Sequence, residues 1–183
     1  MKYHIDSVIL AEQSLLGALM QEPEKLIEVK ATVDPEDFYY AKNKDIYSAI
    51  LRLDEAGILP DTTTIFEEIN NSGAFKNVDA SLYIVDVYDV TPSARNIMHY
   101  ANLVKRYSIY REIREALLNS TEEMNQGNAD IDSLTSTLFD QVERAMERAK
   151  ISHFKNMRDV TDEVFKEILA RMSGEGKNIA IPT

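Results

Sequence analysis

The 183-residue sequence contains no cysteine, which excludes disulfides, thiolate zinc sites and a cysteine nucleophile, and fits a cytoplasmic chain. Histidine is almost as scarce. His4, His99 and His153 stand far apart, and none has a Glu or His partner at helix-face spacing. Neither a zinc site nor a carboxylate-bridged di-iron site in a helical bundle is therefore supported. No apolar run approaches the roughly 18 residues needed to cross a bilayer, and the opening MKYHIDSVIL lacks the apolar stretch of a signal peptide. The expectation is a soluble protein that is not exported. Basic charge is also in short supply. Twenty Lys and Arg face 31 Asp and Glu, for a net charge of −11, and a pI near 4.7 argues against a broad face that grips phosphate backbones. No convincing strand, internal repeat or low-complexity tract is present, so the fold class expected is all-α.

What is present is helical periodicity, and its most prominent stretch is residues 91–150. Thr91 followed by Pro92 is a good helix start, since the hydroxyl can cap a free N–H and proline at the first position needs none of its own. Tyr100, Leu103, Tyr107, Tyr110, Leu117 and Met124 then alternate by threes and fours, with Arg114 and Thr121 in two polar slots, until Gly127 stops the run. Asp130 can cap a second arm, in which Ile131, Leu134, Leu138, Val142, Ala145 and Ala149 recur at a mean step of about 3.6. Two such seams can bury each other as a hairpin. At about 1.5 Å per residue the first arm would be roughly 50 Å long, more than a compact domain of this size needs, so it is expected to project.

Residues 1–90 read as a bundle of short helices. Leu10, Ala11, Leu15, Ala18 and Leu19 make an apolar stripe over 8–20, and Pro23 opens a short helix to about 29. Asp34-Pro35-Glu36-Asp37 has the form of a cap, a first-turn proline and a returning acid, with Phe38 and Tyr39 as anchors behind it. Ile46, Ile50 and Leu53 carry the next helix to Gly57, Asp61 caps one bearing Ile65, Phe66 and Ile69 as far as Gly73, and Asp79 starts one with Leu82, Val85 and Tyr88. Past the hairpin, a connector over 151–155 leads to a helix over 157–172 capped by Asn156 and Asp159. Its Val160, Val164, Ile168, Leu169 and Met172, with Phe165, form a broad apolar face that needs a docking surface.

Charge is unevenly placed. Residues 95–114 hold Arg95, Lys105, Arg106, Arg111 and Arg114 against Glu112, with Glu115 next in the chain, whereas residues 54–93 carry eight acids and one lysine. Solvated helix faces account for both better than a nucleic-acid site does. Catalytic chemistry is missing. GEGKN at 174–178 lacks the first glycine, the spacing and the Ser/Thr of a phosphate-binding loop. The pairs Glu67-Glu68 and Glu122-Glu123 read as solvated faces in place of a general acid and base, and Tyr100, Tyr107 and Tyr110 read as core in place of base-stacking platforms. No catalytic, cofactor or metal residue is assigned.

Several segments together resemble the N-terminal part of DnaB-type replicative helicases of bacteria and phages: AEQSLLGALM at 11–20, DPEDFYYAKNKDIYSAILRLDEAG at 34–57, Asp61, TPSARNIMHYANLVKRYSIYREI at 91–113, and the closing AIPT. The most specific pieces are Ala11-Glu12-Gln13 with Leu16-Gly17, Asp37-Phe38-Tyr39, Ile46-Tyr47, and Pro92 with Asn96, Tyr100-Ala101, Val104 and Arg111. Two departures stand out, Asn43 where the family often has histidine and Val78-Asp79 where it often has a glycine pair. The resemblance implies a small helical bundle (1–90) with a protruding hairpin (91–150), then a linker (151–183) cut off before a RecA-like ATPase that would bind ATP and magnesium. It implies a hexameric, ATP-dependent helicase that touches DNA mainly through the missing motor, with this part holding the ring together as paired hairpins and receiving primase and a helicase loader. On that basis Tyr107, Tyr110, Leu117, Leu134 and Leu138 are the expected self-association seam. Glu122, Glu123, Asn125 and Asp130 form the expected primase- or loader-facing tip, and the face of Val160, Val164, Ile168, Leu169 and Met172 would dock on a neighbouring subunit's motor. A freestanding helical adaptor or helicase loader is the alternative, and the uncovered 160–172 face speaks against it.

Overall fold

A computed structural model describes residues 5–73, 79–126 and 130–148. The described helices are α1 (Ile5–Gln21), α2 (Leu26–Lys30), α3 (Ala41–Glu55), α4 (Thr62–Ser72), α5 (Ala80–Asp89), α6 (Ile97–Asn125) and α7 (Ile131–Arg148), with 3-10 turns at Pro23–Lys25, Pro35–Asp37 and Ala94–Asn96. There is no strand among the described residues, as the periodicity predicts. Residues up to Ala145 form one compact unit; a second, Met146–Thr183, is described only at 146–148. The expected helix over 157–172, its docking face, Gly127, Val78, Ala149 and the 174–183 tail lie outside the described residues.

The caps read from sequence form as expected, because each is a local contest between one side chain and the free N–H groups of a first helical turn. Asp34 and Asp37 close a capping box around the Pro35 turn, with the Asp34 N–H donating to Asp37 Oδ2 at 2.8 Å. Asp61 accepts from the N–H groups of Thr63 and Thr64, while its own N–H donates to Thr64 Oγ1 at 2.9 Å. Asp79 accepts from Leu82 and Asp130 from Ser133. α3 and α4 end in left-handed glycines, Gly57 (φ 71°) and Gly73 (φ 67°), a conformation that costs a residue without a Cβ nothing. The hairpin start is different. Thr91 is buried and its hydroxyl donates to Val87 O at the end of α5, so Ser93 caps the next turn and α6 begins only at Ile97.

α1 is the central helix, packed on α3, α5 and α6, while α4 bridges α3 and α5. Its burial is nearly all round: Val8, Ala11, Leu15, Leu16, Ala18, Leu19 and Met20 are all in the core. Leu10, expected on the buried stripe, is 50% exposed. Ile46, Ile50, Leu53, Ile65 and Ile69 face the core as the periodicity predicts, joined by Ile84, Val87, Ile97, Ala101 and Val104. Full burial of each of the Val, Leu and Ile side chains among these stabilises by about 1.5–3 kcal/mol before ordering costs.

Two faces are rotated from the sequence reading. On α5 the buried residues are Ala80, Ile84 and Val87, and Leu82, Val85 and Tyr88 point outward. On α6 the line Ile97, Ala101, Val104, Ser108 packs inward with Tyr107, whereas Tyr110, Leu117 and Met124 are more than half exposed. Small and β-branched residues make up most of both buried faces, with Tyr107 the large exception. α5 approaches α1 closely at Gly17. A Cβ placed there would lie 1.9 Å from Thr91 Oγ1 and 2.6 Å from the Val87 carbonyl oxygen.

Gly17→Ala should therefore destabilise the domain by about 1–3 kcal/mol through forced separation of α1 and α5, read as a fall in the urea midpoint; an unchanged midpoint refutes the close approach. Asp61→Ala should cost about 1 kcal/mol at neutral pH by loss of the cap. The N–H groups of Thr64 and Thr63 hold the Asp61 carboxyl below its ordinary value of 3.8. Its contribution is thus present above that value and lost as pH falls through the lowered one, so the difference between wild type and variant should shrink in unfolding curves taken at progressively more acid pH.

Candidate functional site

Five residues of the family-like motifs, Glu12, Gln13, Asp37, Tyr39 and Arg111, meet in linked polar contacts beside α6. Glu12 lies on α1 with no solvent exposure, and a carboxylate there must be met by donors. Tyr39 and Tyr40 supply backbone N–H groups, and Asn43 supplies Nδ2 at 2.9 Å. Burial raises the Glu12 pKa above the usual 4.5, opposed by these donors and by the Arg111 charge. Asn43 Oδ1 accepts from the Tyr83 hydroxyl at 2.7 Å, which in turn accepts from Gln13 Nε2 at 3.3 Å. Burial lifts the Tyr83 phenol to about 12. The asparagine gives one donor and uses one acceptor, the pair that a neutral imidazole also offers.

A second half of the cluster ties α6 to the Pro35–Asp37 turn. Asp37 has no solvent exposure and accepts from Lys105 Nζ at 2.9 Å, while Arg111 Nη2 donates to the Asp37 carbonyl oxygen at 2.6 Å. The Arg111 guanidinium also lies 5.7 Å from the centre of the Tyr39 ring. Tyr47 closes the back of the turn by donating to Val33 O at 2.9 Å, its ring 5.0 Å from that of Phe38. Every acid here is met by donors that hold backbone in place, which is the arrangement of a scaffold. Among the described residues no group of His, Asp or Glu could hold a metal ion.

The residues expected at the self-association seam are distributed unequally. Tyr107 is 8% exposed and belongs to the core of its own chain. Tyr110 and Leu117 are exposed, and Leu134 and Leu138 are half-buried. Met124 and Ile131, read from sequence as seam residues, are also exposed, up to 77% at Ile131, and sequence reasoning missed Leu118 and Phe139, which are large exposed side chains as well. Only the small residues Ala116, Ser120 and Ala145 are buried along this part of α6 and α7. The expected tip residues Glu122, Glu123, Asn125 and Asp130 are all exposed. None of the α6 residues after Ser108 joins the core cluster. A composition signal was available: α6 has large apolar residues on more than one side, so a single seam could not use them all.

Comparison with known proteins gives a consistent result. Residues 6–106 match the family model described as "DnaB-like helicase N terminal domain". The chain is 28% identical over 175 residues to the replicative DNA helicase DnaC of Bacillus subtilis (strain 168), and 27% identical over 175 residues to the replicative DNA helicase DnaB of Geobacillus stearothermophilus. In both cases the match covers 96% of this chain and 38% of the relative, so the chain spans well under half the length of these proteins. Among solved structures, the N-terminal domain of DnaB helicase from Mycobacterium tuberculosis superposes with a TM-score of 0.68 at 25% identity, covering 74% of this chain and 96% of that one. The N-terminal domain of DnaB helicase from Helicobacter pylori, a structure described together with its interactions with primase, has the same fold. Its TM-score is 0.58 at 23% identity, with coverage of 69% of this chain and 99% of that one.

Glu12→Ala removes the acceptor for two backbone N–H groups and the Asn43 amide at once, and each buried donor left unmet costs about 1–3 kcal/mol. The variant should lose several kcal/mol in chemical denaturation, and hydrogen exchange at Tyr39 and Tyr40 should speed up more than exchange along α4. Uniform acceleration, or none, would show that the carboxylate does not hold this turn.

Proposed function

Because this chain belongs to the DnaB-like helicase N-terminal domain family, we propose that it is the scaffold and partner-recruiting domain of a hexameric, ATP-dependent replicative DNA helicase acting at the replication fork in the cytoplasm. In this reading residues 1–90 and the paired long helices of 91–150 form the ring's collar, and residues 151–183 link it to a motor domain. ATP and magnesium belong to that motor, as does the main contact with DNA, and these residues by themselves hydrolyse nothing. The face of Val160, Val164, Ile168, Leu169 and Met172 docks on a neighbouring subunit's motor.

One observation carries the collar role. Tyr110, Leu117, Leu118 and Met124 on α6 and Ile131 and Phe139 on α7 are 51–77% exposed, and exposed apolar surface of this extent marks an interaction site. A second copy presenting the same surface would cover it by two-fold pairing, the commonest closed arrangement for identical chains. The relatives' replicative helicase identity supports the motor, and the Helicobacter pylori neighbour's interaction with primase supports primase as a partner. The exposed tip of Glu122, Glu123, Asn125 and Asp130 is where primase or a helicase loader would meet it.

Sedimentation of the 183-residue chain should show a dimer or larger assembly, and Leu117→Asp should shift it to monomer with its helical circular dichroism intact. Titrated with a primase C-terminal domain from a close relative, the wild-type chain should bind with a dissociation constant of tens of micromolar or tighter. An unchanged assembly for Leu117→Asp refutes the α6–α7 seam. Absence of primase binding refutes the recruiting role.

A further inference from the structure

α5 is apolar on nearly every side, yet it buries only one of its faces. Of its ten residues ASLYIVDVYD, only Ala80, Ile84 and Val87 are buried. Leu82 is 60% exposed, Val85 45%, Tyr88 39%, and the adjoining Val90 41%. A helix apolar all round is ordinarily covered on all sides, and a surface helix of a folded domain ordinarily turns polar residues outward. These four residues are not in the core cluster, so packing among the described residues does not account for them.

Acids outnumber bases in the segment that carries them, and the described cation recorded against α5 is Lys42, whose Nζ lies 5.0 Å from the centre of the Tyr83 ring. Residues 54–93 hold eight acids and one lysine, and that lysine, Lys76, lies outside the described residues. Asp86 and Asp89 lie on α5 itself, and among the described residues neither is in an ion pair with a cation. Asp79 at the start of the helix is held below its ordinary value by the Ser81 hydroxyl and the Leu82 N–H, and is therefore ionised at neutral pH. An acidic rim repels nucleic acid and anionic lipid alike, and it attracts a cationic surface.

We propose that the outer face of α5, with Leu82, Val85, Tyr88 and Val90 as its apolar floor and Asp86 and Asp89 as its rim, docks a lysine- or arginine-rich amphipathic helix of a partner protein. Ten residues give about 15 Å of helix, room for two to three turns of a partner laid alongside. The partner's apolar side covers the floor at i, i+3, i+4 spacing, and its basic side meets the aspartates. This surface is separate from the α6–α7 seam and from the tip, and the proposal stands whether or not those recruit anything.

The probe is a fluorescein-labelled synthetic 15-residue peptide of leucine and lysine arranged as an amphipathic helix, titrated against the full 183-residue chain. A scrambled peptide of the same composition and a leucine–glutamate analogue are the comparisons. The amphipathic cationic peptide should bind, and the double variant Leu82→Ser/Val85→Ser should weaken it tenfold or more. Asp86→Asn/Asp89→Asn should weaken it several-fold and flatten its salt dependence, whereas Ile27→Ser, which removes a 79% exposed side chain on α2, should leave it unchanged. Amide shift changes in the labelled wild-type chain should centre on residues 80–90, which tests the surface without any variant having to fold. Equal binding of the scrambled peptide, no effect of Leu82→Ser/Val85→Ser, or shift changes centred elsewhere would each overturn the proposal. So would a loss of self-association by Leu82→Ser/Val85→Ser in sedimentation, which would assign the face to a second copy of this chain.

Discussion

Glu12 is a carboxylate placed on a central helix with no access to water, and an unmet charge in that position would cost several kcal/mol. Its donors come from the chain entering α3 and from α3 itself, and Asn43 passes the constraint on to Tyr83 of α5. Three helices that are distant in sequence are thus held in one register by the need to satisfy one anion. Apolar packing alone tolerates sliding, because leucine next to isoleucine is nearly as good one turn along. A carboxylate surrounded by three fixed donors has no equivalent position to slide to.

This explains why the family-like residues are the ones they are. Glu12, Gln13, Asp37, Tyr39 and Arg111 are scattered over a hundred positions, and the fold gathers them into two linked polar contacts around one turn. Gly17 is the apolar counterpart of the same requirement: it admits α5 to the surface of α1, with Thr91 filling the space a side chain would take. No catalytic chemistry is needed to account for any of them. Within this cluster each of these residues acts by positioning helices or the turn between them.

The sequence makes local events legible and face selection much less so. Caps at Asp34, Asp61, Asp79 and Asp130 could be read because each is decided within four residues. The faces of α5 and α6 could not, since both helices carry apolar residues on several sides and only the tertiary partner decides which side is buried. Thr91 shows the same limit at a helix start: its hydroxyl had two possible uses, and the end of α5 took it. The exposure of Tyr110 and Leu117, against the burial of Tyr107, likewise follows from where α6 stops touching α1, a boundary with no mark in the periodicity.

α6 contains neither glycine nor proline from Ile97 to Asn125, so it has no internal hinge. Its first half is clamped by core packing, by Lys105 on Asp37 and by Arg111 on the turn, and its remaining length extends about 21 Å past Arg111. A rod gripped at one end behaves as a lever arm: a tilt of about 5° at the clamp becomes roughly 2 Å at the far end, at the scale of a side-chain contact. Rearrangements too small to disturb the core can therefore make or break contacts at the tip, and force applied at the tip is returned, concentrated, to the one buried turn that holds the helix down.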